Sequence, residues 1–228
     1  LEHDGTIDKY MGDAIMAFWN APLDDAQHAE NACRAALAMR DRLALLNDEW
    51  RRAAEAEGRE PRAINIGIGL NSGECVVGNL GSDQRFDYSV LGDAVNLASR
   101  LEGQTKTYAT DIVVGESTRE EAKSLAFVEI DQIRVKGRTA PARIFALVGD
   151  DSLASSSRFS DLKQQTDLLL DAYRRQDWAE ARNCLAKCRE LDDGWVAGIC
   201  DLYAGRIDDL QENPPGDDWD GVYTATSK

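Results

Sequence analysis

Asn96 and Arg100 stand four residues apart within Phe86–Arg100, FDYSVLGDAVNLASR. On a helix this spacing puts a carboxamide and a guanidinium on one face. Side by side they can orient a hydroxyl and a phosphate together. The same spacing also fits a plain solvated helix face, so other groups must decide. Asp13 follows Gly12 at a candidate hairpin tip. There it is either a turn residue or a hard oxygen ligand for magnesium or manganese. Lys9, four residues earlier, projects from the first strand of that hairpin. Lys136-Gly137-Arg138 is a basic turn in an acidic chain, and it also reads as an ordinary exposed turn.

Each of these groups needs an element to hold it. Phe86, Tyr88 and Val90 alternate with Asp87 and Ser89, which predicts a strand. Gly92 permits a turn, and Asp93 suits the first turn of the following helix, whose Ala94, Ala98 and Leu101 form an apolar stripe. Thr6–Trp19 reads as a β-hairpin turning at Gly12-Asp13. Residues 1–5 read as a helix tail closing at Gly5. A long helix is expected from Asp24 or Asp25 to about Gly58, with Ala29, Ala32, Cys33, Ala36, Met39, Leu43, Leu46 and Trp50 as its buried stripe. Strands Ile64–Leu70 and Glu74–Leu80 are joined by Asn71-Ser72-Gly73. Their glycines do not match a dinucleotide fingerprint or a Walker loop. Strand Ile112–Val114, a short helix near Ser117, and strands Phe127–Val135 and Ala142–Val148 follow. Residues 150–160 read as a linker. Residues 161–211 carry two amphipathic helix candidates, Leu162–Arg174 and Trp178–Leu191, followed by Trp195–Gln211. They resemble about one and a half tetratricopeptide units, too few to stand alone, so they should dock. Residues 212–228 are expected to lie extended.

Composition narrows the function classes. The chain has 228 residues, 43% hydrophobic, which allows one domain with an appendage. A net charge of −15 argues against nonspecific nucleic-acid binding, which needs a basic footprint. Any phosphate must meet a local cluster of cations or metal ions. The five unpatterned cysteines read as reduced, hence a cytoplasmic setting. Cys184 and Cys188 sit one helical turn apart, but His3 and His28 lie far upstream, so buried apolar roles fit better than zinc. No apolar run reaches membrane-spanning length, and no signal peptide is present.

The segments IDKYMGDAIMAFW, INIGIGLNSGECVVGNLGS and FDYSVLGDAVNLASRLE, in this order, resemble the catalytic domain of class III adenylyl and guanylyl cyclases over residues 1–149. The resemblance implies an α+β fold, a ferredoxin-like (palm-type) antiparallel sheet with helices on one face, followed here by a small α-helical extension. It implies a head-to-tail homodimer with sites at the interface and two Mg2+ or Mn2+ ions per site. By position, Asp13 resembles a metal-binding Asp, and Lys9 and Ser89 the base-selecting pair. Asn96 resembles the ribose-orienting residue, Arg100 the transition-state arginine, and Lys136 the triphosphate-binding lysine. A lysine opposite adenine N1 and a serine opposite the 6-amino group argue for ATP, whereas guanylyl members typically carry Glu and Cys. The implied reaction is ATP to 3′,5′-cyclic AMP and pyrophosphate in bacterial signal transduction.

The chain departs from the family pattern at its front. The strand-turn-helix unit carrying the family's first metal Asp is not found, and neither Asp4 nor Asp8 replaces it. These 228 residues alone are therefore expected to turn over little ATP. The parent protein is expected to place a sensor or membrane region before the domain. A guanylyl or mixed-specificity cyclase, and a nucleotide-binding regulatory module without turnover, are the alternatives. Diguanylate cyclases are discounted, because Met11-Gly12-Asp13-Ala14 stands where their Gly-Gly-Asp/Glu-Glu-Phe turn would be.

Overall fold

The computed structural model describes residues 2–82, 85–134, 141–216 and 218–224. Lys136 and its basic turn lie outside the described residues. Strand β1 (Thr6–Met11) turns at Gly12-Asp13 into β2 (Ala14–Phe18), as the alternation predicts. Residues 2–4 form a turn rather than the end of a helix.

Helix α1 (His28–Ala56) begins three residues after Asp25, whose carboxylate accepts from the Gln27 amide and the Asn31 carboxamide. Burial is concentrated in its first half: Ala29, Ala32, Cys33, Ala36 and Leu37 are buried, Leu43 and Leu46 are half-buried, Met39 and Trp50 are exposed, and Ala54 is buried again near the end. Burial pushes the Cys33 thiol up to about 12, so it packs as an inert apolar group.

The expected strand over residues 64–70 shortens to β3 (Ile68–Leu70). Asn47 on α1 explains the loss. Its carboxamide donates to the Ile64 carbonyl at 2.8 Å and accepts from the Ile64 amide at 2.9 Å. This satisfies the backbone along α1 instead of in a ladder. Strand β4 (Val76–Ser82) does not pair with β3, as a hairpin through Asn71-Ser72-Gly73 would require; it pairs antiparallel with β5 (Arg85–Leu91). Helix α2 (Asp93–Tyr108) follows directly.

Next come β6 (Ile112–Gly115), α3 (Glu116–Glu121), β7 (Ala126–Arg134) and β8 (Ala142–Gly149). The expected linker is instead helical. Asp150 caps the one-turn α4 (Asp151–Ala154), and Ser156 caps α5 (Ser157–Arg174). Helices α6 (Trp178–Leu191) and α7 (Ala197–Glu212) complete the C-terminal unit. The tail is pinned rather than free: β9 (Tyr223–Thr224) pairs parallel with β7, and Trp219 packs against Tyr173 and Trp178.

The principal sheet has the order β3-β6-β8-β7-β9, with β6-β8-β7 antiparallel and both outer pairings parallel. The α+β class holds, and two details differ from expectation. The sheet is mixed, and helices cover both faces. Alternation along the strands explains the second point. Ile112, Val114, Phe127, Phe145 and Leu147 face α1, while Val113, Val128, Ile130, Ala146 and Val148 face α2 and the C-terminal helices in one continuous core.

Buried polar groups tie these layers together. Arg206 on α7 donates to Asp131 on β7 at 2.7 Å, and Tyr108 at the end of α2 donates to the same carboxylate at 2.6 Å. Burial, then the neighbouring Asp131 charge, holds the Tyr108 hydroxyl well above its ordinary range, so it stays a donor. Glu129 accepts from Arg143 on β8 and, at 2.7 Å, from Arg174 on α5. All five cysteines are free thiols. Among the described residues, no helix is long and apolar enough to cross a membrane.

Candidate active site

The seating of α2 sets where Asn96 and Arg100 point. Two glycines allow it. At Gly69 on β3, an added Cβ would lie 2.1 Å from the Ala98 carbonyl oxygen and 2.3 Å from the Glu102 nitrogen. Strand and helix backbones therefore touch directly. At Gly92 an added Cβ would lie 2.9 Å from the Glu74 carbonyl oxygen, so the start of α2 presses on the residues just before β4. Asn71 fixes the same end by donating to the Ala94 carbonyl at 3.2 Å. Ala94, Leu97, Leu101, Thr105 and Tyr108 form the buried stripe, with Ala98 only half-buried. Asn96 and Arg100 are left on the exposed face, and neither side chain has a hydrogen-bond or ion-pair partner among the described residues. A carboxamide and a guanidinium presented this way are available to a ligand.

Strand β5 brings the base-selecting candidates to the same unit. Ser89 is buried, and its hydroxyl donates to Asp8 at 2.8 Å. The Lys9 ammonium lies 3.6 Å from the other Asp8 oxygen. Lys9 and Ser89, 80 positions apart in number, thus meet through one carboxylate. Phe18 and Tyr88, with ring centroids 6.0 Å apart, pack the two hairpins together beside them. Asp8 itself was not among the expected site residues. The only signal for it was an acidic residue inside a strand next to Lys9.

Asp13 stands exposed at the hairpin tip and makes no hydrogen bond or ion pair among the described residues. A carboxylate oxygen suits a hard divalent ion. Such an ion takes several oxygen ligands, and among the described residues no three His, Cys, Asp or Glu side chains group closely enough to supply them. Among the described residues Asp13 therefore stands as a single candidate ligand, and the rest of a divalent ion's shell must come from water, substrate phosphates or other residues.

Two open cavities, about 460 and 810 Å3, lie elsewhere. The larger runs along Asn71–Glu74, the start of α2 and the start of β8. Neither is lined by Lys9, Asp13, Ser89, Asn96 or Arg100. The structure brings Lys9 and Ser89 together through Asp8, while Asn96 and Arg100 share the exposed face of α2 and Asp13 stands at the β1–β2 tip. On the β1–β2 and β4–β5 hairpins Ile7, Tyr10, Met11, Ile15, Val76, Phe86 and Leu91 expose apolar surface.

Comparison with known proteins adds to this geometry. Residues 4–149 match the family described as the adenylate and guanylate cyclase catalytic domain. Adenylate cyclase 1 of Rhizobium meliloti is 38% identical over 148 residues, which is 64% of this chain and 21% of that protein. The chain thus spans about a fifth of that curated relative's length. The crystal structure of an adenylyl cyclase from P. aeruginosa superposes with a TM-score of 0.55 at 35% identity, over 64% of this chain and 73% of that one. The crystal structure of a guanylyl cyclase gives 0.54 at 31% identity, over 65% and 72%. The family match ends at residue 149, so α4–α7 lie outside it.

Proposed function

The chain belongs to the adenylate and guanylate cyclase catalytic-domain family, and from this membership we propose that it works as an adenylate cyclase, converting ATP to 3′,5′-cyclic AMP and pyrophosphate in bacterial signal transduction. The observation that carries the choice of ATP is the Lys9–Asp8–Ser89 cluster. Lys9 is a donor for adenine N1, and Ser89 is an acceptor for the 6-amino group. Guanine offers a proton at N1 and an oxygen at C6, which mismatches both.

In the proposed reaction the ribose 3′-oxygen attacks the α-phosphorus in line. The bond to the bridging oxygen of the β-phosphate breaks, pyrophosphate leaves with that electron pair, and the 3′ proton passes to water. Asn96 holds the ribose in a near-attack pose. Arg100 hydrogen-bonds the phosphoryl oxygens as charge shifts there. Lys136 is assigned to the triphosphate. The family generally uses divalent metals, and Asp13 is assigned to them as one ligand, the others coming from outside the described residues.

The exposed apolar side chains of the two hairpins support a head-to-tail homodimer, in which a second copy covers them and encloses the nucleotide. A cytoplasmic placement follows from where ATP and reduced thiols occur together. The tetratricopeptide likeness of α5 and α6 remains part of this reading. Because a serine hydroxyl can also donate, and a guanylyl cyclase superposes comparably, mixed specificity is the second reading. The full-length protein, supplied with manganese and ATP or GTP, tests both. Cyclic AMP as the main product supports the proposal. 3′,5′-Cyclic GMP in excess overturns the choice of base. Tight nucleotide binding with no cyclic product replaces it with a regulatory module.

A further inference from the structure

Asp8 is the member of the base cluster with no assigned role. Strand β1 bulges there: the register passes from Ile7↔Ala17 to Lys9↔Met16, leaving Asp8 unpaired. A bulge breaks strict alternation, so neighbouring residues can reach a common side. This is how Asp8 and Lys9 both engage one cluster. The Asp8 side chain has no exposed surface and cannot touch a ligand itself. Ser89, by contrast, retains 5% exposure.

The hydrogen bond between them has only one sense. An ionised carboxylate accepts and never donates. Ser89 must therefore give its single proton to Asp8, at 2.8 Å. The serine oxygen is left with lone pairs only. The second Asp8 oxygen has no hydrogen bond among the described residues and faces the Lys9 ammonium at 3.6 Å.

We propose that Asp8 is a positioning residue that fixes base choice by holding the Ser89 proton, making Ser89 an obligate acceptor. A 6-amino purine then finds an acceptor for its amino group. A 6-oxo purine finds two lone pairs facing each other. The proposal rests on the reading that Lys9 and Ser89 face the base, and it removes the ambiguity that a free serine hydroxyl would carry.

The test uses the full-length protein and the ratio of kcat/KM for ATP over GTP. The same ratio is also read by displacement of fluorescent ATP and GTP analogues, which needs no turnover. Asp8→Asn keeps the shape but can donate as well as accept, so the Ser89 proton is free to turn to the base. It should lower the ATP preference about tenfold or more. Ser89→Ala should lower it too, and in that background Asp8→Asn should change it less than about threefold. If Ser89→Ala lowers the preference and Asp8→Asn does not, the proposal is overturned while the base reading stands. An equal Asp8→Asn effect with and without Ser89 also overturns it, since Asp8 would then act by another route. If Ser89→Ala has no effect, the base reading itself fails and takes the proposal with it. Should Asp8→Asn not fold, Ser89→Thr keeps the hydroxyl and should keep the preference that Ser89→Ala loses. Equal loss in both variants would sink the idea.

Discussion

Arg100 presents a guanidinium with no partner among the described residues on the exposed face of α2, and this makes its contribution separable from folding. Arg100→Lys keeps the charge but loses the planar fork that can hold two phosphoryl oxygens at once. The expected outcome is a kcat lower by about 100-fold with KM for ATP changed less than about threefold, read in steady-state assays of the full-length protein. A matching rise in KM would instead place Arg100 in ground-state binding. Asn96 and Arg100 were legible in the sequence because helical spacing alone puts them together. Asp8 was not, because the β1 bulge that brings it beside Lys9 and Ser89 leaves no trace in an alternating pattern. The Lys9–Ser89 pairing likewise depends on two hairpins meeting, which no local pattern encodes.

At the scale of elements, the helices were legible and the strand partners less so. Helix α6 matches its expected span because its apolar stripe is local. The pairing of β3 with β6 depends on close backbone approach to α2, and on Asn47 drawing residue 64 away. Gly69 is the point of contact. Gly69→Ala would place a methyl 2.1 Å from the Ala98 carbonyl, so β3 or α2 must shift. Overpacking of this kind costs about 1–3 kcal/mol. A lower denaturant midpoint should therefore accompany a fall in kcat, since the shifted helix carries Asn96 and Arg100. The loss of stability without any change in kcat would show that the catalytic face tolerates movement of its helix. The apparent linker at residues 150–160 misled for a similar reason. Two of its polar residues, Asp150 and Ser156, are helix N-caps.

The molecule as a whole is held by charges buried between its two parts. Burial alone would raise the Glu129 carboxyl, but hydrogen bonds from Arg143 and Arg174 outweigh it and hold it below its ordinary value. A carboxylate depressed in the folded state stabilises above its unfolded pKa, about 4.3, and that stability is lost as pH falls through the lower folded value. Acid unfolding should thus steepen below about pH 4, and Glu129→Gln should flatten that limb. Arg206 makes the tie more directly. Its guanidinium lies in the core, on Asp131 and between the rings of Tyr108 and Tyr203, at 5.4 and 5.3 Å. Arg206→Met leaves the Asp131 carboxylate buried without its cation, held by the Tyr108 hydroxyl and the Gln132 amide alone among the described residues, which costs about 3–5 kcal/mol. Adding Asp131→Leu removes the stranded charge, so the double variant should recover much of that loss, as chemical denaturation would show. Because α2 shares one core with α5–α7, the single variant should also weaken amide protection along α2 and α7 together. Loss confined to α7 would mean that the C-terminal helices and the catalytic helix open independently, and that Arg206 fastens the former without bracing the latter.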